Sequence, residues 1–253
     1  ALVSANGNTG GGEVLIGGGF QGKNSSIKNA KQTAVGDDAI IKANATDIGD
    51  GGKVIVWADD FTQFHGAIEA TGGEVSGTGG FVEVSGKESL VYRGEIDVTA
   101  ENGDSGSVLF DPKDLIVRID VPTDDIATNN EFAENSTGSA AIDPSDVIAL
   151  LDAGTAVTLQ ASNDLSINEN ITVTGTSAVL TLQAGRSVSV NANITTNGGD
   201  FNATANSTLA DGVVDAQRDA GAAEFRLQSG RTIDTNGGDI TIEVSDGAGL
   251  ANS

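Results

Sequence analysis

Cysteine is absent from this 253-residue chain, proline occurs three times, and Phe, Trp and Tyr together make up 4% of it. Without cysteine there are no disulfides, no Cys-based zinc sites and no thiol catalysis, although this alone leaves the compartment open. The shortage of aromatics leaves a conventional globular core without its usual large fillers. A narrow core of stacked Val, Ile, Leu and Ala needs few of them. Basic residues are also scarce, 13 against 36 acidic ones, for a formal net charge of −23. Such a polyanion repels nucleic acid and anionic lipid, which excludes both as partners and leaves cations as plausible company. No run reaches the roughly 18–20 apolar residues of a membrane span, so no membrane insertion is expected, and the first residues lack the regions of a signal peptide. The chain opens in mid-pattern at Ala1-Leu2-Val3-Ser4, as a fragment of something longer would.

What is present in abundance is glycine, 35 residues, among many Asn, Ser, Thr, Val and Ala. That mixture describes short strands and tight turns, an all-β chain. Repetition is the strongest signal. Leu182-Gln183-Ala184-Gly185-Arg186-Ser187-Val188 returns as Leu227-Gln228-Ser229-Gly230-Arg231-Thr232-Ile233, and Leu159-Gln160-Ala161 precedes the first copy. These offsets suggest a unit of about 22–23 residues with a diverged copy between, which puts Arg186 and Arg231 at equivalent positions. Asn197-Gly198-Gly199-Asp200-Phe201 likewise returns as Asn236-Gly237-Gly238-Asp239-Ile240. In the first half a Gly-rich turn repeatedly precedes an apolar strand, at Val14, Val54, Val82 and Val108. Units this small must stack on their neighbours to bury an apolar face. Stacked parallel strands about 4.8 Å apart predict roughly ten levels and a rod of about 50 Å.

Alternation sets the inward residues, as in Val188, Val190, Ala192 and Ile194, and glycine at the corners is expected to supply positive φ. One region breaks the pattern. From Val121 to Ala153 a polar loop leaves the repeat, followed by a short helix with Asp143 as N-cap, Pro144 in its first turn, an apolar stripe of Val147, Ile148, Leu150 and Leu151, and Gly154 ending it. The expected fold is therefore all-β, a right-handed parallel β-helix with one loop-plus-short-helix excursion. It divides into a first β-helix section over 1–120, the loop and flanking helix over 121–153, and a second section over 154–253 continuous with the first.

The run from Gly51 to Val117 resembles the passenger proteins of two-partner secretion, the filamentous-haemagglutinin-like and high-molecular-weight adhesin families. The resemblance rests on Gly51-Gly52-Lys53-Val54-Ile55-Val56-Trp57-Ala58-Asp59, Gly79-Gly80-Phe81-Val82-Glu83-Val84-Ser85-Gly86-Lys87 and Leu109-Phe110-Asp111-Pro112-Lys113-Asp114-Leu115. The run from Ile142 to Asn206 is similar to the degenerate repeats that follow this signature. The resemblance implies a secreted protein at the surface of a Gram-negative-type bacterium, exported by an outer-membrane β-barrel transporter and acting in attachment, aggregation or biofilm formation. Its partners would be cell-surface or matrix glycans or proteins, with self-association through open ends. The Asn-Pro-Asn-Gly-type motif of the secretion domain is not seen, which implies a piece downstream of it. A passive spacer stalk and a β-helix polysaccharide lyase or glycosidase are the alternatives.

Candidate sites are few, and no catalytic or cofactor constellation stands out. Asp-rich turns at Asp37-Asp38, Asp50, Asp59-Asp60 and Asp124-Asp125 are candidate Ca²⁺ ligands, but they lack a calcium-repeat pattern and equally suit solvated turns. Seven Asn-x-Ser/Thr sequons, at Asn24, Asn44, Asn135, Asn170, Asn193, Asn202 and Asn206, exceed the about three expected by chance. The resemblance makes them candidate glycosylation sites, and simple strand alternation also accounts for them. The only histidine, His65, has no evident nucleophile beside it and reads as a strand or turn residue. Arg186 and Arg231 could line a sugar groove or pair with surface acids. Trp57 and Tyr92 could stack on a sugar ring if exposed, or pack at a corner. Thr172-Val173-Thr174-Gly175-Thr176 hints at a flat Thr face without aligned Thr on successive levels.

Overall fold

The computed structural model describes residues 1–120, 140–175 and 178–246. The expected loop from Pro122 to Ser139, with Asp124, Asp125 and Asn135, lies outside the described residues, as does Thr176.

Short strands follow one another in threes. The chain begins with β1 (Leu2–Ser4), β2 (Glu13–Ile16) and β3 (Gln32–Val35), and continues with β4 (Ile40–Lys42), β5 (Lys53–Ala58) and β6 (Phe61–Phe64). Next come β7 (Ala67–Glu69), β8 (Phe81–Gly86), β9 (Ser89–Tyr92), β10 (Glu95–Asp97), β11 (Ser107–Phe110), β12 (Leu115–Val117) and β13 (Ala140–Ile142). Helix α1 (Pro144–Asp152) precedes β14 (Ala156–Ala161), β15 (Leu165–Ile167), β16 (Ile171–Thr172), β17 (Leu180–Ala184), β18 (Val188–Val190) and β19 (Ile194–Thr195). The last strands are β20 (Phe201–Ala205), β21 (Phe225–Leu227), β22 (Ile233–Asp234) and β23 (Ile240–Val244).

The protein is thus mostly β, and its pairings between strands are all parallel. The first sheet holds eight strands in the order β2-β5-β8-β11-β14-β17-β20-β23, and the second holds eight, β3-β6-β9-β13-β12-β15-β18-β21. A third face carries β1-β4-β7-β10 and, separately, β16-β19-β22. Eight strands in each long sheet replace the roughly ten levels expected, because long connections consume chain without adding strands. The inward columns follow the register: Val14, Val54, Val82, Val108, Val157, Leu180, Phe201 and Ile240 succeed one another along the first sheet. Ile41, Ile68 and Ile96 do so on the third face. Side chains from all faces join one apolar cluster, and Phe64 stacks parallel on Tyr92 at 5.9 Å between ring centres. Burial of such a column is what the alternation predicts; Val188, Val190, Ala192 and Ile194 are all buried.

Three sequence expectations change. The Leu182 and Leu227 phrases are not equivalent, since Leu182 in the first sheet pairs with Leu159 and Ala203, whereas Leu227 in the second pairs with Val190. A long connection after β20 shifts the repeated phrase by one face, so Arg186 and Arg231 occupy different corners. The glycines at the corners fall into two kinds. Gly198 and Gly237 do hold positive φ, at 95° and 119°. Gly51, Gly52, Gly79 and Gly80 do not; there a Cβ would run into backbone carbonyls of the adjoining chain, Ala70 O, Gly12 O, Val98 O and Gly52 O respectively. Close stacking, and not turn conformation, demands those glycines.

Finally, the excursion does more than lie on a flank. The helix forms as expected: Asp143 Oδ1 accepts from the Ser145 N–H at 2.9 Å, Pro144 opens the first turn, and Gly154 follows the C-cap with φ 80°. It buries Val147, Leu150 and Leu151. It touches β10 on one side and β16 on the other, so it stands in line on the third face and divides that face into two sheets. Its Asp152 carboxylate accepts from the Thr174 and Gly175 N–H groups, at 2.7 Å each. Just before it, β13 inserts between β9 and β12.

Candidate functional site

An inserted strand in one sheet has a consequence in the next. The second sheet gains β13 between β9 and β12, while β8 and β11 remain neighbours in the first sheet. Their pairing stops at Glu83 and Leu109, although β5 and β8 pair through to Ala58 and Gly86. A fork opens beyond that point. The Asp111 N–H, freed from the ladder, donates to Ser85 Oγ at 3.0 Å, and the Lys87 carbonyl accepts from Gln217 Nε2 at 2.8 Å. Buried backbone groups require partners, and side chains supply them here.

Two long connections cover the outer side of the first sheet at this fork. The first strap, residues 17–31, joins β2 to β3 and contains Gly17, Gly18, Gly19 and Gly22. It lies flat on Trp57: a Cβ at Gly22, which has φ 62°, would stand 2.6 Å from the indole. Trp57 Nε1 donates to Asp59 Oδ1 at 3.2 Å, as does Asn29 Nδ2 of the strap at 2.9 Å. Phe20 packs edge-on against Phe81, with Lys53 Nζ 5.2 Å from its ring centre. The second strap, residues 206–224, joins β20 to β21. Arg218 anchors it, donating to Asn206 Oδ1 at 2.7 Å, Ser207 O at 2.7 Å, Asp215 Oδ1 at 2.9 Å and the Gly185 carbonyl. Asn163 and Asp219 bond each other reciprocally, at 2.9 and 3.0 Å.

Beneath the straps lie two carboxyls, Glu83 with no exposed surface and Asp111 with 5%. Gln21, in a left-handed backbone conformation at φ 50°, connects them. Its N–H is shared between both Glu83 oxygens at 3.2 and 3.1 Å, and its Nε2 donates to Asp111 Oδ2 at 3.2 Å and Gln160 Oε1 at 2.8 Å. The straps meet here: Lys23 Nζ donates to Gln21 Oε1 at 2.9 Å and to the Gly212 carbonyl at 3.2 Å, while Gln160 Nε2 donates to the Asp211 carbonyl. Asp111 Oδ1 is buried with no hydrogen-bond partner. Burial pushes the Glu83 carboxyl up to about 8, and the negative Asp111 adds to the effect against the Gln21 N–H, Ser85 and Lys53. Burial likewise pushes Asp111 up to about 7, opposed by Lys23 and the Gln21 amide. The pair is equipped to hold and release protons near neutrality.

Glu83 and Asp111 were not among the candidate residues of the sequence, where they stand only within the Gly79–Lys87 and Leu109–Leu115 phrases. A signal was available in Val54-Ile55-Val56-Trp57-Ala58. Such an unbroken apolar run marks a strand covered on both faces, and Ile55 and Trp57 are the outward residues buried there.

The expected candidates are dispersed. Asp50 Oδ1 accepts from the Thr78 N–H at 2.8 Å, which holds its carboxyl below the usual range. Asp37 Oδ1 faces His65 Nδ1 at 3.1 Å, the Asp38 carbonyl accepts from the Ala1 amino group at 2.6 Å, Asp59 serves the first strap, and Asp60 is exposed. Among the described residues no group of three or more His, Cys, Asp or Glu side chains is placed to hold a metal ion. Arg186 pairs with Asp164, its Nε donating to Oδ1 at 2.8 Å, and Arg231 is exposed at a corner on another face. Trp57 and Tyr92 are buried, so neither offers a ring for stacking on a sugar. Of the described sequon residues, Asn24 is exposed on the first strap, and Asn202 is partly buried on β20. Asn44 bonds Glu69 and the Thr71 N–H, Asn206 bonds Ser245 and Arg218, and Asn170 and Asn193 each accept an N–H from the next level. No helix among the described residues is long and apolar enough to cross a membrane.

No family model and no curated protein matches the chain.

Proposed function

We propose that this chain is a right-handed parallel β-helix forming a structural and adhesive segment of a large secreted bacterial surface fibre, one that acts in attachment, aggregation or biofilm formation. The carrying observation is the pair of eight-stranded parallel sheets around one thin apolar core. Parallel crossovers between strands of one sheet are almost always right-handed, which supports the handedness. A stack of that kind is stiff because each level is hydrogen-bonded to the next over its whole width. Stiffness and repetition suit a rod that presents outward loops to partners in a multivalent way. The motifs from Gly51 to Val117 support the reading of a Gram-negative-type exported passenger, secreted through an outer-membrane β-barrel transporter. Surface glycans or matrix proteins are the partners that reading names, and side-to-side or end-to-end self-association accompanies it.

Inert beads coated with the chain test the proposal by their adhesion to one another, to cells and to polysaccharide, with and without Ca²⁺. Retention or clumping above that of uncoated beads is the expected result. Beads passive in every condition would reduce the segment to a spacer stalk.

A second reading, a polysaccharide-cleaving enzyme, draws on Glu83 and Asp111 converging near Lys23. It requires the covered carboxyls to meet a substrate. New reducing or unsaturated ends released from acidic polysaccharides, and lost in Glu83→Gln, would favour it over the fibre.

A further inference from the structure

Covering an ionised carboxylate with protein is costly unless it is paired with a cation, and a neutral carboxyl is far cheaper to cover. At the fork neither carboxyl is hydrogen-bonded to an ammonium: Lys23 Nζ binds Gln21 Oε1 and the Gly212 carbonyl, and Asp111 Oδ1 has no hydrogen-bond partner. The cover consists of two connections that meet at the Gln21, Lys23, Gln160, Asp211 and Gly212 contacts. We propose that straps 17–31 and 206–224 are a proton-operated cover over the first sheet, closed while Glu83 and Asp111 are protonated and released when both ionise.

The charged groups around the pair set the balance. From β5 comes Lys53, and from the first strap Lys23, each attracting the ionised forms. Asp59, beyond Trp57, is engaged by Asn29 and the indole, the Asp211 carboxylate turns back to the Thr208 N–H at 3.0 Å, and Glu88 accepts from Gln217 at 2.8 Å. Two cations therefore face two carboxyls held above their ordinary range, about 8 for Glu83 and about 7 for Asp111. A raised value in the closed state means that closure is fully supported below the ordinary carboxylate range and loses support as pH rises through 7 and 8. Release uncovers Ile55, Trp57, Leu109 and Gln160 and leaves two more negative charges on a face of an already acidic molecule. The cover holds or fails independently of whether the segment is adhesive.

Hydrogen exchange at pH 5.5 and 8.5, corrected for the intrinsic pH dependence, tests this on the whole chain. Peptides from both straps should lose at least tenfold protection at the higher pH and approach that of an exposed chain, while peptides spanning β14 to β18 remain strongly protected. In the Glu83→Gln, Asp111→Asn double variant the straps should respond equally at both values. Equal strap protection in the wild type, exposure of β14 to β18 as complete as that of the straps, or a wild-type response in the double variant would each overturn the proposal. Should the variant fail to fold, the wild type still decides: Trp57 is the only tryptophan, and its emission must shift to the red between pH 5.5 and 8.5. A constant emission maximum sinks the cover.

Discussion

At the scale of single residues, what limits substitution is how closely one level of backbone lies on the next. Gly52 and Gly80 have no positive φ, yet a Cβ at either meets a carbonyl of the level below, a rigid neighbour that cannot step aside. Gly52→Ala or Gly80→Ala is expected to cost about 2 kcal/mol or more, the order of an overpacked site. Gly36 provides the contrast, with nothing within 4 Å of an added Cβ. There alanine should be neutral or stabilising by about 0.5 kcal/mol, through lost freedom of the unfolded chain. Urea midpoints of the three variants check both statements; equal effects at Gly36 and Gly52 would refute the stacking argument. Gly51-Gly52 and Gly79-Gly80 were legible as repeat markers. Their reason was not, since the clashing carbonyls belong to other levels.

At the scale of elements, α1 and β13 are the departures from repetition. Helix α1 was readable in sequence because its signals are local: an N-cap, a proline in the first turn, an apolar stripe and a terminating glycine within about a dozen residues. Asp143 accepts from both the Ser145 N–H and its hydroxyl, at 2.9 and 2.6 Å. Asp143→Ala should therefore cost about 1 kcal/mol, and Asp143→Asn much less, read as midpoints of thermal or urea unfolding. Parity between the alanine and asparagine variants would count against the cap. The place of α1, between β10 and β16, was not readable, nor was the entry of β13 between β9 and β12. Ala140, Ala141 and Ile142 carry no alternation, since all three are buried, and a three-residue strand gives too little pattern to specify its neighbours. Yet that insertion opens the fork that the straps fill.

For the whole molecule, the buried acids govern the response to pH. Glu83 and Asp111 are pushed up chiefly by burial, and so is Asp146 on α1, to about 6, with Asp143 adding to the rise and Arg93 opposing it. Each native state favours the proton more than the unfolded chain does. Unfolding free energy is therefore expected to fall as pH rises from about 5 to 8.5, with the contributions of Asp146, Asp111 and Glu83 lost in that order. The high negative charge works in the same direction, because self-repulsion grows as the last acids ionise. Urea titrations across this range check the slope, and its reduction in Asp111→Asn assigns part of it. A stability that climbs with pH would contradict the burial of these groups as the controlling factor.

The sequence by itself determined the thin aliphatic core, the predominance of short strands, the inward and outward sides of those that alternate, and the helix after Asp143. These follow from composition and from patterns a few residues long, which backbone periodicity translates directly into faces. Only the tertiary structure decided which strands became neighbours, where α1 and β13 entered the stack, and what covered the outer side of the first sheet. The contacts that matter there join Gln21 to Glu83 across 62 residues and Gln21 to Gln160 across 139. Alternation tells a side chain which way to point. It carries no information about whether water or another part of the chain waits on that side, and for Glu83 and Asp111 that difference turned two ordinary surface acids into a buried, proton-holding pair.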